Sequence, residues 1–136
     1  LKAYKPTVFI AAFGALACLS TIFYGIVLPL WLLISLLFLA GLFLGGQFLA
    51  FSMTCALNPL SASATAGGFH NMICMLSGVI FQPFIGWLLD YNWQGNYVNG
   101  IRNYTRSDYA FSLSSISISL LLACLIVLFI EEKYSK

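Results

Sequence analysis

Residues 61–90, SASATAGGFHNMICMLSGVIFQPFIGWLLD, decide how the rest of the chain is read, because they are hydrophobic enough to cross a bilayer yet sort their polar residues to one side. At about 100° per residue, Ser63, Gly67, His70, Asn71, Cys74, Gly78 and Gln82 fall within one arc of about 120°. Phe69, Met72, Ile73, Leu76, Val79, Ile80, Phe84 and Trp87 lie outside it. An amide or imidazole facing hydrocarbon without a partner costs several kcal/mol. The polar arc therefore has to meet another helix or a wet cavity, and the large apolar residues suit lipid. Gly67 and Gly78, with Ser63 and Cys74, would let a second backbone come close, which is how helices associate once burial no longer distinguishes a partner helix from lipid. Pro83 removes one backbone hydrogen bond and is expected to bend the helix near its far end.

Composition extends this reading to the whole chain. Hydrophobic residues make up 61% of 136 and charged residues 7%, with a mean hydropathy of +0.95; in a soluble domain about a quarter of residues are charged. The charges fall at Lys2, Lys5, Asp90, Arg102, Arg106, Asp108, Glu131, Glu132, Lys133 and Lys136, all outside the long apolar runs. Those runs predict helices over about 6–27, 30–55, 62–89 and 109–130. The fold class is all-α, a polytopic transmembrane bundle of four helices.

The first span carries a seam of small residues, Ala11, Gly14, Ala15, Cys18 and Gly25, suited to packing. A break from Gly25 to Pro29 leaves almost no loop, so the second span returns antiparallel beside the first. On that second span Gly41, Gly45 and Ser52 share one side, a GxxxG-type contact face, while Gln47 and Thr54 share roughly the opposite side. Gln47 is the only side-chain amide in the run. It either hydrogen-bonds across helices or faces a cavity, and both readings stand. Asn58 and Pro59 stop the helix, and Ser61 and Ser63 are candidate caps for the next.

After Asp90 comes the polar stretch YNWQGNYVNGIRNYTRSD, which reads as a surface loop at the membrane interface. In the last span Ser112, Ser115, Ser119 and Ala123 share one face and are expected to pack inward. Four crossings put both ends on one side. Lys2, Lys5, Lys133 and Lys136 there outnumber Arg102 and Arg106 in the long loop, which favours cytoplasmic termini. The chain opens at Leu1 without an initiator methionine and reads as a fragment of a larger protein.

Several functions are excluded on the same grounds. A net charge of +2 is too small for nucleic-acid binding, which needs a basic patch. Cys18, Cys55, Cys74 and Cys124 are scattered one to a helix, without metal-ligand spacing or a disulfide framework, and read as packing residues. No apolar run contains Asp, Glu, Lys or Arg, which removes the usual carboxylate of a proton-coupled site and the basic anchor of an anion site. His70 reads either as a hydrogen-bonded packing residue or as a relay or substrate contact. It has no partner carboxylate recognisable in the sequence, so no catalytic residue, metal or cofactor is expected.

The frame NPLSASATAGGFHNM...GVIFQPFIGWLLD, with Pro59, Ala64, Ala66, Gly68, Asn71, Gly78, Pro83, Gly86 and Asp90, resembles the tenth-to-eleventh helix region of the major facilitator superfamily of secondary transporters. The resemblance implies that the four spans correspond to the ninth to twelfth helices of a twelve-helix transporter fold, the C-terminal third. It further implies that the second span lines the central cavity, that the third sits where the two halves meet, and that the first and fourth support them. Gln47, Thr54, His70 and Asn71 are then substrate-cavity candidates, and Gly67, Cys74, Gly78 and Gln82 candidates for packing between halves. The partners would be the lipid bilayer, the missing N-terminal portion, a small solute and, where transport is coupled, an ion. The location would be the plasma membrane, the inner membrane in bacteria. The alternative is a complete small four-helix membrane protein acting as an oligomeric channel, exporter or assembly subunit. Members of the superfamily carry sugars, organic anions, peptides, amino acids and drugs on similar scaffolds, so the substrate class stays open.

Overall fold

A computed structural model describes residues 4–129. Five helices follow one another: α1 (Tyr4–Tyr24), α2 (Leu30–Leu44), α3 (Gln47–Leu57), α4 (Leu60–Asn92) and α5 (Arg106–Phe129), with a two-stranded hairpin, β1 (Tyr97–Val98) and β2 (Ile101–Arg102), between the last two. Four segments are long and apolar enough to span a membrane: Lys5–Tyr24, Leu30–Leu57, Leu60–Asn92 and Arg106–Phe129. They contain 20, 28, 33 and 24 residues, against about 20 needed to cross a hydrocarbon core at about 1.5 Å per residue. Large apolar side chains cover the outside, including Ile10, Trp31, Phe38, Val79 and Ile126, as contact with lipid requires. The expected end of the last helix at Ile130, and the charges Lys2, Glu131, Glu132, Lys133 and Lys136, lie outside the described residues.

Helix α1 is the centre of the arrangement, packing on α5, on α2 and on α3, while α4 closes the other side against α3 and α5. Ala15 and Cys18 of α1 and Ser112, Cys124 and Val127 of α5 are buried, so the small-residue seam and the foot of the serine stripe meet, and Ser20 Oγ donates to Ser117 Oγ at 3.5 Å. The start of α1 and the end of α5 lie together, with Lys5 Nζ donating to the Leu128 carbonyl at 2.7 Å. At the opposite, loop end Arg106 donates to the Ile26 carbonyl.

The structure corrects three local expectations. The second span is not one regular helix over 30–55 but two, α2 and α3, joined at Gly45–Gly46. There the Gly46 N–H bonds the Phe43 carbonyl at 2.9 Å and the Phe48 N–H the Gly45 carbonyl at 3.1 Å, three residues back instead of four. This is a local 3₁₀ tightening. Second, Gly41 and Gly45 are not the contact face: a Cβ on Gly41 would meet nothing within 4 Å, and one on Gly45 would meet only its own helix. The side turned to α1 carries Ala40, Phe43 and Gly46, and Gly41 lies one residue, about 100°, away from Ala40. Third, neither Ser61 nor Ser63 caps α4. Pro59 holds the cap position with no side-chain bond. Ser63 Oγ instead donates to the Cys55 carbonyl across the turn at 3.3 Å, and Asn58 Nδ2 donates to the Thr54 carbonyl at 2.7 Å. Pro83 sits inside α4 without ending it.

The contact of α1 with the second span is close. A Cβ on Gly46 would lie 2.3 Å from Ala11 Cβ, and one on Gly14 would lie 2.5 Å from the Phe43 ring. Gly46→Ala should therefore destabilise the protein by about 1–3 kcal/mol through overpacking. Ala11→Gly in the same chain should restore part of the loss, and Gly41→Ala should be neutral or slightly stabilising. Reversible unfolding in mixed detergent micelles measures all three.

Candidate functional site

The first half of α4 lies along α3, and its polar arc faces that helix. Gly67 is buried under the Phe51 ring and Cys55 Sγ, where an added Cβ would come within 3.2 Å and 3.3 Å of them. One turn on, the His70 ring stands edge-on to Phe51, ring centroids 5.6 Å apart, and its Nδ1 lies 3.2 Å from Thr54 Oγ1. Above this contact the two helices leave an open groove of about 560 Å³. Gln47 and Phe48 of α3 and His70, Asn71 and Cys74 of α4 are among the residues lining it, and a volume of about 300–1,000 Å³ is usual for small-molecule sites.

Of the substrate-cavity candidates, Gln47, His70 and Asn71 share this groove, and Thr54 stands behind His70, bonded to it. Of the packing candidates, Gly67 and Cys74 also line the groove, whereas Gly78 and Gln82 do not. A Cβ on Gly78 would meet nothing within 4 Å, and Gln82 is exposed, so that part of the polar arc is open among the described residues. The arc splits because α4 changes partner along its length: α3 ends at Gln47, and beyond that level α4 packs on α5. Phe51, which orients His70, was not singled out in the sequence; it precedes Thr54 by three residues and so lies on the same side of α3. Among the described residues no three His, Cys, Asp or Glu side chains come together as metal ligands would.

A second polar constellation ties α4 to α5 at the loop end. Asp108 is fully buried in the first turn of α5. Its Oδ2 accepts from the Thr105 N–H at 2.7 Å and from Thr105 Oγ1 at 2.8 Å, and its Oδ1 from Asn92 Nδ2 at 3.0 Å. Thr105 and Asp108 form a capping box, legible in the sequence as Thr-x-x-Asp before an apolar run. The loop expected here holds a hairpin instead, turned by Asn99 and Gly100 at φ 53° and 77°, the left-handed backbone that an Asn-Gly turn supplies. Arg102 pairs with Asp90 at 2.7 Å and stacks 4.9 Å from the Trp93 ring centroid, and the Tyr104 hydroxyl donates to the same Asp90 oxygen.

Comparison of the chain with protein-family models, with curated proteins and with solved structures finds no match. What the site can do is therefore argued from its chemistry.

The Asp90 carboxylate needs the Tyr104 proton, so that hydrogen bond raises the Tyr104 pKa above its ordinary 10.0. A raised acid pKa makes the contribution fully present below the unfolded value and lost as pH rises through the folded one. The phenolate absorbance assigned by difference from Tyr104→Phe should thus emerge at higher pH than that of an exposed tyrosine. Asp90→Asn should bring it back down.

Proposed function

We propose that this chain is part of a secondary transporter of the major facilitator type, moving a small solute by alternating access, with the groove between α3 and α4 contributing to the solute path. One observation carries the reading. Three polar side chains that have no reason to sit in hydrocarbon, Gln47, His70 and Asn71, line a single groove between two membrane-spanning helices. They come from the two spans that the resemblance assigns to the cavity and to the meeting of the halves. Alternating access rocks one bundle against another around a site near the bilayer midplane. The open face of α4 with Gly78 and Gln82 is then the surface that meets the rest of the carrier. In this reading the termini are cytoplasmic, the membrane is the plasma membrane, and the chain performs no catalysis.

The alternative of a complete four-helix exporter gains nothing from the structure, since such exporters need an intramembrane carboxylate. The only fully buried one among the described residues, Asp108, is bound into a helix cap at the loop end. The coding sequence upstream of Leu1 separates the two readings. Eight further apolar segments support the transporter, and a start codon immediately before Leu1 refutes it. Within the carrier, Gln47→Leu should lower solute uptake by at least tenfold while the amount of folded protein in the membrane falls by less than half. Equal loss of both would make Gln47 a packing residue. A cysteine at Gly78 should crosslink to the opposing half in a solute-dependent yield, whereas reaction with lipid-soluble reagents in every state and no crosslink would remove that face from the moving interface.

A further inference from the structure

The contact between Thr54 and His70 fixes more than a distance. Thr54 has one hydroxyl hydrogen and two neighbours for it, the Ala50 carbonyl at 3.0 Å and His70 Nδ1 at 3.2 Å. The carbonyl can only accept, so the hydrogen goes to it, the back-bond that threonine makes within helices. Thr54 Oγ1 then faces Nδ1 with a lone pair, and the contact is a hydrogen bond only when Nδ1 carries the hydrogen. The reverse arrangement would set two acceptors, Thr54 Oγ1 and the Ala50 oxygen, against each other at 3.0 Å. Neutral His70 is therefore held with its hydrogen on Nδ1, and its Nε2 carries a lone pair.

That lone pair is available. Among the described residues Nε2 has no hydrogen-bond partner, and no buried side-chain nitrogen or oxygen lacks one. It follows that Nε2 is reachable from outside, in a groove that His70 lines. Beside it are the side-chain amides of Gln47 and Asn71, each offering two donors and one acceptor and each without a partner of its own among the described residues. Among the described residues no Lys, Arg, Asp or Glu lines the groove, and Phe48 and Phe51 do.

Resting on the transporter reading above, we infer that the groove binds an uncharged polyhydroxylated solute, one hydroxyl donating to His70 Nε2, others pairing with the Gln47 and Asn71 amides, and its carbon face lying on Phe48 and Phe51. An anion would meet the Nε2 lone pair with no Lys or Arg among the lining residues to balance it. An ammonium would leave water with no carboxylate to receive it. Hydroxyls, which donate and accept, match all three polar groups at no charge-desolvation cost.

The test is nitrogen-15 magnetic resonance on the intact protein in lipid bilayers at alkaline pH, with histidine labelled and His70→Gln identifying the His70 resonances. The inference expects a protonated Nδ1 and an unprotonated Nε2, and a switch of the hydrogen to Nε2 in Thr54→Val but not in Thr54→Ser. It expects glycerol, sorbitol or glucose to move the Nε2 resonance toward its hydrogen-bonded position, and succinate and putrescine to leave it in place. A hydrogen on Nε2 in the unsubstituted protein would overturn the assignment. A response to succinate or putrescine instead of the polyols would overturn the solute class and leave transport through the groove standing. A response to none of the five would overturn both the class and the groove as a solute site.

Discussion

The bundle depends on the close approach of α1 to the second span, where Phe43 lies against Gly14 and Ala11 against Gly46. In a bilayer, lipid tails are as apolar as any side chain, so helices gain little by burying leucine against leucine. What distinguishes a partner is the number of van der Waals contacts made at short range. Glycine at Gly14 makes a hollow that an aromatic ring fills. Glycine at Gly46 removes the side chain that would otherwise strike Ala11. Because α1 also packs on α5, where Ser20 Oγ meets Ser117 Oγ, this one helix holds three neighbours in place.

The same contact explains the break in the second span. A regular helix through Gly45 and Gly46 would keep the hydrogen-bond ladder at four residues. The tightened ladder at Gly46 and Phe48 gives up that regularity at the level where α1 presses on Gly46. Beyond the break, α3 packs on α4, and Gln47 is its first residue. The joint thus starts the helix on which the groove is built. At the other end of α4, the buried Asp108 and Asn92 hold α5, and the Asp90–Arg102–Tyr104 cluster holds the hairpin. Helix α4 is anchored to different partners at its two ends and has an open face, with Gly78 and Gln82, between them.

Much of this was legible in the residues. Span positions follow from hydropathy, because only long apolar helices fit a bilayer. The seam of Ala11, Gly14, Ala15 and Cys18 follows from size, and the polar arc of α4 from helical period. What the sequence misread was the side of a helix chosen for contact. Gly41 and Gly45 form as plausible a pair as any, but Ala40, Phe43 and Gly46 pack, because the hollow at Gly14 selects an aromatic ring and no local pattern reveals which ring it will be. The capping box and the Asn99–Gly100 turn lay in plain sight within a stretch read only as polar loop. The short-range chemistry of Thr105–Asp108 and of Asn-Gly would have placed the start of α5 and the hairpin. The pairing of Thr54 with His70 depends on how α3 and α4 meet, which sequence period cannot supply.

Hydroxyls deep in the spans bear on the site by being silent. Thr21 donates to the Ala17 carbonyl, Ser35 to Trp31, Ser52 to Phe48, Ser77 to Cys74 and Ser119 to Ser115, each within its own helix. A hydroxyl committed in this way costs little in hydrocarbon and has little left to offer a ligand. Amides and imidazole are different, since a side-chain amide has more donors and acceptors than one backbone carbonyl can satisfy. Within the spans those groups are Gln47, His70, Asn71 and Gln82, with Asn58 and Asn92 bonded at helix ends. Three of the four line one groove, and the fourth lies on the open face of the same helix. Hydrogen-bonding capacity that the fold itself does not use is therefore concentrated along one side of α4, where a solute or a further helix could use it and lipid could not.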